Sequence, residues 1–442
     1  MAEHYRQRLL IAADSPGALT DLCGISLLER MRRIALQLGF CEAIILSNSV
    51  EAVATHVANE SWRRKDVSLT FREHTGAEVT VGDILDCITA MKVVSDGRIL
   101  IVFAGFYCDE RLLRSLADAH TDSALIDSDP PSIIAPLLEN SDTYSSGQLW
   151  CAALLSNEWL WQKNRVAALV DEITSDTVAG RIARVDAARQ QTYVGSMRRS
   201  VRPVFFPAPS VAQRPLAERL LLDATQKGVL DFPARVHAPI EKWLVSHLCR
   251  RKITPNQITL GTAVLGLGVT LLYVCGHLWA GVLLALVIGI LDGIDGKLAR
   301  LKAQTTKLGK KEHDLDYLVE TSWWVGLAYH FHATGQIRYA YVILSAFFVF
   351  QMLERWAKRA VQRRIGRSLD DFAPFDRLVR VVAGRRNIYT WLFAFFLFIN
   401  APTIGFIWIC FWGVASAVVY ILRALQIGFT RDYRVVSTST LS

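Results

Sequence analysis

The chain has 442 residues, enough for two or three domains, and 52% of them are hydrophobic. The long apolar runs all lie from Ile258 onward, which excludes a wholly soluble protein and predicts a soluble first half joined to a membrane half. The formal charge of +8 would suit a nucleic-acid binder, but the cations stand beside apolar runs, the positive-inside pattern of a membrane protein, so no nucleic-acid partner is expected. The eight cysteines occur singly, without C-x2-C spacing, and read as reduced thiols in a cytosolic compartment. The opening MAEHYRQRLLIAADSPG has only a short apolar patch, so no secretory signal is expected.

In chain order, residues 9–13 are an apolar run fit for a buried strand, followed by the turn-rich DSPG. The spacing predicts a helix over 26–38, with Leu27, Leu28, Met31, Ile34, Ala35 and Leu38 on one face, Arg30, Arg32 and Arg33 off it, and Gly39 as its stop. Strands are expected at 43–46, 99–103, 124–127 and 149–155, and helices at 84–93 and 110–117. This alternation predicts an α/β domain with a parallel sheet over residues 1–162. The order of elements resembles the sugar-phosphate nucleotidyltransferase fold. Such enzymes share a G-x-G-x-R loop after the first strand, a later Lys and a metal-binding Asp after a later strand. Here the first loop is AADSPGALTDLCG and the later strand leads into Ala104, Gly105 and Phe106. Asp14 and Asp109 are the nearest substitutes and read as turn and helix-start residues. The domain is therefore expected to be degenerate, a scaffold or docking module.

Residues 163–215 read as a mainly helical stretch (164–199) and a linker with four prolines (202–215). Over 216–252, Arg235, Lys242 and His247 are interleaved with Trp243, Leu244, Val245 and Leu248, as in a helix lying at a membrane interface. Residues 253–430 then hold six expected transmembrane helices, near 257–275, 278–291 with its polar extension, 319–331, 337–352, 389–398 and 403–425, followed by a tail at 431–442. Basic connections alternate with short, nearly uncharged ones, which predicts a multi-pass protein with both termini cytoplasmic, in a bacterium at the cell membrane. His330 and His332 read as interfacial residues, and the tryptophans as belt or packing residues.

The chemistry concentrates in LDGIDGKLARLKAQTTKLGKKEHDLDYLVET, from Leu291 to Thr321. Asp292, Asp295 and Ala299 share a helix face, as do Asp316 and Glu320 on the next helix. Apolar runs stop at Asp292 and restart after Glu320, so the four acids lie just inside a bilayer, where ionisable groups point to function. Carboxylates short of cations suit hard divalent ions, which in turn hold phosphates. A metal-bound diphosphate is the implied ligand.

Asp292, Asp295, Gly296, Ala299, Arg300 and Gly309 stand as D-x2-D-G-x2-A-R-x8-G, which resembles the signature of the CDP-alcohol phosphotransferases. Chance would give six such positions on the order of 10⁻⁵ times in a chain of this length. The family continues G-x3-D-x3-D, whereas here the spacing lands on His313. Asp316 and Glu320 are the best continuation, with three extra residues placed in the connection KKEHD and Asp314 as the competing ligand. The resemblance implies transfer of a phospho-alcohol from a CDP-alcohol to an acceptor hydroxyl, with release of CMP, in phospholipid or related lipid synthesis. It implies one or two Mg²⁺ or Mn²⁺ ions on Asp292, Asp295 and Asp316, with Glu320 as the base. Gly296, Ala299, Arg300 and Gly309 would meet the substrate. Arg359, Arg363, Arg364, Arg385 and Arg386 are candidates for an acceptor phosphate or lipid headgroup. A homodimer is a candidate assembly. The alternatives are a bifunctional cytidylyltransferase and phosphotransferase of the inositol-phosphate type, and a non-catalytic membrane scaffold.

Overall fold

A computed structural model describes residues 8–14, 16–59, 67–76, 78–90, 97–139, 150–304 and 312–429. The first part holds strands Arg8–Ala12 (β1), Asp21–Leu22 (β2), Ile25–Ser26 (β3), Glu42–Ser47 (β4), Ser68–Glu73 (β5), Arg98–Phe103 (β6), Phe106–Cys108 (β7), Ser123–Ile126 (β8), Trp150–Ser156 (β9) and Ala183–Asp186 (β10). Between them lie helices Leu27–Leu38 (α1), Val50–Asn59 (α2), Val81–Ala90 (α3), Glu110–Ala117 (α4), Ala135–Leu138 (α5), Asn157–Trp161 (α6) and Leu169–Val178 (α7).

Seven of the strands pair in the order β10-β8-β9-β6-β1-β4-β5. Central β1 shows the period of two: Leu9 and Ile11 enter a core shared with α1 and α4, and Leu10 and Ala12 one shared with α3, α6 and α7. The expected α/β architecture is present, with one departure. β9 runs antiparallel to both β6 and β8, while the other pairings of this sheet are parallel. An apolar run buried on both faces carries no sign of its direction.

Two expectations are corrected. The stretch 164–199, read as mainly helical, holds the single α-helix α7. Its Ala- and Arg-rich remainder includes β10, because pairing Val185 with Leu125 at the sheet edge outweighs helix propensity. The proline stretch 202–215 is not a free linker either: Phe205–Pro207 (β11) pairs with β7, and Phe205 and Phe206 are fully buried. The last residues of the helix expected at 84–93, and the tail at 431–442, lie outside the described residues.

The helical part contains Arg214–Ala224 (α8), Phe232–Leu248 (α9), Pro255–Val274 (α10), Leu278–Leu301 (α11), Glu312–Ala333 (α12), Ala340–Ile365 (α13), Pro374–Val382 (α14), Arg386–Phe398 (α15) and Pro402–Phe429 (α16). Thr254 starts α10 with a capping box to Gln257, and Pro255 fills the first turn, where a missing N–H costs nothing. Among the described residues, four helices (α10, α11, α13 and α16) are long and apolar enough to cross a membrane. The other two expected spans differ. α12 carries Asp316 and Glu320 near its start, and α15 has 13 residues against the ~20 a straight crossing needs.

The two parts share one apolar core. Val245 and Cys249 near the end of α9, and Ile294, Leu298 and Leu301 of α11, pack with Leu27, Leu28 and Met31 of α1. The approach is close: Gly24 has φ +82°, and a Cβ there would stand 2.0 Å from the Cys249 carbonyl oxygen. Only glycine fits.

Candidate active site

α11 is 24 residues long, so one helix begins in the apolar layer and ends with Asp292, Asp295, Gly296, Ala299 and Arg300 on its last turns. Asp295 is buried and accepts hydrogen bonds from the Thr259 hydroxyl on α10 (2.8 Å) and from the Gly296 N–H (2.5 Å). Asp292 is half-buried and pairs with the guanidinium of Arg386, the first residue of α15, at 2.6 Å. Asp316, on α12, lies within charge–charge range of Asp292, Asp295, Glu320 and Arg386. Arg386 likewise feels Asp292, Glu320 and Asp316. Carboxylates of α11 and α12 are thus gathered around one arginine of α15.

A second buried pair braces α11 from the side. Glu241 of α9 meets Lys297 at 2.7 Å, and its carboxyl lies over Gly293, where a Cβ would stand 2.5 Å from it. Burial pushes the Glu241 carboxyl above its usual range, with Lys297 opposing the shift. Arg300 donates through Nε to the Thr225 carbonyl, just past α8. Beside Asp295, Gly296, Ala299 and Arg300 opens a cavity of about 570 Å³ that also reaches Thr259.

Gly309 lies outside the described residues, as does the Asp314 side chain. Because α12 already begins at Glu312, His313 and Asp314 belong to the helix, not to the connection expected to absorb the three extra residues. The five arginines proposed for an acceptor or headgroup do not form one patch. Arg386 sits among the acids. Arg385 lies 3.8 Å from Asp231 and 3.6 Å from Asp370, a carboxylate that also meets Arg198, Lys358 and Arg380. Arg364 donates to the Gly428 carbonyl of α16, and Arg359 and Arg363 are exposed on α13. The ring of His330 packs on Gly276, and that of His332 bonds the Arg338 carbonyl. Sequence reasoning missed Thr259, Glu241 and Lys297. The spacing of three that puts Asn256, Thr259 and Thr262 on one face of an otherwise apolar helix was the available signal for the first; the other two have none.

Among the described residues, no three His, Cys, Asp or Glu side chains converge tightly enough to hold a metal ion as they stand. The donor set nonetheless fits a hard divalent cation: Asp292, Asp295 and Asp316 offer only oxygen, and Arg386 is the cation that now offsets their mutual repulsion.

Residues 252–422 match the model of the CDP-alcohol phosphatidyltransferase family. A Thermococcus kodakarensis protein named bifunctional IPC transferase and DIPP synthase is 40% identical over 115 residues, 26% of this chain and 26% of that protein. The phosphatidylinositol phosphate synthase of Corynebacterium glutamicum is 44% identical over 80 residues, 17% of this chain and 34% of that one. The chain therefore aligns with about a quarter to a third of these relatives' lengths. Among solved structures, a Mycobacterium tuberculosis phosphatidylinositol phosphate synthase with CDP-DAG bound is similar at 18% identity and TM-score 0.34, covering 43% of this chain and 94% of that one. The inositol-1-phosphate CTP transferase from T. maritima is similar at 10% identity and TM-score 0.33, covering 50% and 98%.

Proposed function

We propose that the CDP-alcohol phosphatidyltransferase domain at residues 252–422 is an active membrane enzyme that transfers a phospho-alcohol from a CDP-alcohol to an acceptor hydroxyl and releases CMP. The observation that carries this reading is the meeting of Asp292 and Asp295 on α11 with Asp316 and Glu320 on α12, at the place where the family motif falls. The acceptor oxygen bonds to the phosphorus that bears the alcohol, the bond from that phosphorus to the CMP phosphate oxygen breaks, and the acceptor proton passes to Glu320. Asp292, Asp295 and Asp316 would hold Mg²⁺ or Mn²⁺, which when bound neutralises the diphosphate. Thr259 fixes the rotamer of Asp295 by its hydrogen bond, and Gly296 leaves the backbone open to the substrate. Arg386 places fixed positive charge where the departing phosphate gains negative charge.

The names of the relatives make an inositol-containing phospholipid the product to test first. The reading also takes α12 and α15 as membrane-crossing elements, for six in all, with both termini on the basic, cytosolic side. Phe232, Val236, Ile240 and Trp243 form an exposed apolar row on α9, suited to lie at the membrane surface. The first domain would not activate the alcohol itself. Asp14 accepts through one oxygen from His74 and from the Asn48 N–H, and Asp109 caps α4 and pairs with Arg111, so both acids already serve the turn and the helix start.

The test is CMP release by membranes holding the full chain, given CDP-diacylglycerol, inositol phosphate and Mg²⁺. Release that falls more than about 10²-fold in Asp295→Asn is expected. Absence of CMP release with any CDP-alcohol and acceptor would overturn the reading.

A further inference from the structure

The cavity beside the acid motif has a second wall, and it belongs to the first domain. Arg30 and Gln37 of α1, Tyr107 of β7, Asp109 and Arg111 at the start of α4, and Ser196 of the turn before Arg199 face it from that side. Asp295, Gly296, Ala299 and Arg300 face it from the other.

This wall is anchored to the motif helix itself. Arg30 donates to the Leu301 carbonyl (2.7 Å), Arg33 to the Lys302 carbonyl (2.9 Å) and Gln37 to the Ala303 carbonyl (2.9 Å). These are the carbonyls that the end of a helix leaves without intrahelical partners, and a row of donors from α1 satisfies them. The wall also offers recognition chemistry. Arg30 is buried, and its Nε has no hydrogen-bond partner among the described residues. Tyr107 is stacked on Phe206 at 4.9 Å, and Asp109 and Arg111 form a two-point pair at 2.8 and 3.0 Å.

Orientation then selects the ligand. If the diphosphate lies at Asp292 and Asp295, the alcohol of a lipid substrate must leave toward the apolar layer, where α11 begins. The nucleoside must lie along the six residue steps from Asp295 to Leu301, a helical rise of about 9 Å that ends under α1. We infer that the first domain, in place of a lost catalytic role, roofs the nucleotide site and holds the pyrimidine nucleoside of the CDP-alcohol between α1, the start of α4 and the end of α11. This rests on the function proposed above. A cavity of about 570 Å³ is of the size that holds small ligands, and one of its walls is built by the first domain. Arg30, Tyr107, Asp109 and Arg111 are the polar side chains that this domain brings to the cavity wall, where the nucleoside would pass. Arg30, Arg111 and Asp109 are positioning residues that contact no reacting atom.

The experiment uses the full chain in nanodiscs with Mg²⁺, and titrates CMP and UMP. Ser196→Trp fills the mouth of the cavity from an exposed position, and Arg111→Gln removes a charge from its wall without a large change in volume. Both are expected to weaken CMP binding at least tenfold, to raise KM for the CDP-alcohol with little change in kcat, and to shrink the preference for CMP over UMP. A structural defect alone would not move that preference. If both variants bind CMP as the parent does, with unchanged thermal unfolding, the roof is not part of the nucleotide site, while the proposed reaction stands. A rise in KM for the acceptor alone would assign the cavity to the acceptor and overturn the inference. If the parent binds neither CMP nor CDP-diacylglycerol, both the inference and the proposed reaction fail.

Discussion

The clasp between α1 and the end of α11 offers a perturbation far from the reacting atoms. Arg33→Met with Gln37→Ala removes the donors to the Lys302 and Ala303 carbonyls. A hydrogen bond from a charged donor contributes about 1.5–3 kcal/mol and a neutral one about 0.5–1.5 kcal/mol, so the double variant should loosen this junction by roughly 2–4 kcal/mol. Part of that loss falls on Glu29, whose buried carboxylate keeps Arg32 at 2.8 Å but loses Arg33 at 2.6 Å. Part falls on Ala303, which sits at φ +47°, a left-handed conformation that costs an L-residue about 1–2 kcal/mol and that the Gln37 bond helps to hold. Released, the last turn of α11 should fray and carry Arg300 with it, and a displacement of about 1 Å in a positioning group can cost about 10²-fold in rate. Hydrogen exchange should show faster amides over residues 299–304, with the spans unchanged, and CMP formation should fall by one to two orders of magnitude, partly restored by Arg33→Lys. Faster exchange with full activity would show that the end of α11 is not held for catalysis. Unchanged exchange would show that the clasp carries no load.

Three further outcomes are expected. Glu320→Gln should keep CDP-alcohol binding but lose roughly 10²-fold or more in rate, as loss of a general base does, whereas Asp316→Asn should raise the Mg²⁺ concentration needed for CMP binding; single-turnover assays and metal titrations distinguish the two. CTP incubated with the full chain should yield no pyrophosphate, since Asp14 and Asp109 are both engaged by neighbours, and turnover sensitive to Asp14→Asn would refute this. Burial works against the Asp176 charge, yet bonds from Arg181, Lys163 and Trp159 prevail and hold its carboxyl at about 2, below the ordinary 3.8. That stability is present above the unfolded pKa and lost as pH falls through the folded one, so Asp176→Asn should destabilise α7 by about 1–2 kcal/mol at neutral pH, with the deficit closing between about pH 4 and pH 2 in amide exchange.

How much of this was legible depends on whether a residue's partner is near it in sequence. α1 could be read because its own ends are written locally: Ser26 accepts from the Glu29 N–H at one end, and Gly39 turns left-handed at φ +97° at the other. The acid pairs were legible for the same reason, since spacings of three and four put them on helix faces. β9 was legible as a strand but not as an antiparallel one, because its direction is set by β6 and β8, which lie elsewhere in the chain. Arg386 was found as a cation of a basic connection, yet nothing local says that α15 would bring it to Asp292, 94 positions earlier in this numbering. The strongest case is on α1. Arg30, Arg32 and Arg33 lie off the apolar face and by pattern should be solvated, yet all three are buried. Glu29 pairs with both Arg32 and Arg33, and the open carbonyls at the end of α11 accept one bond each from Arg30 and Arg33. A charged helix face reads as solvent-facing only while no other helix ends against it. The polar contacts that join the two halves of this protein, beside the apolar core they share, are therefore made by residues that a pattern of hydrophobicity assigns to water.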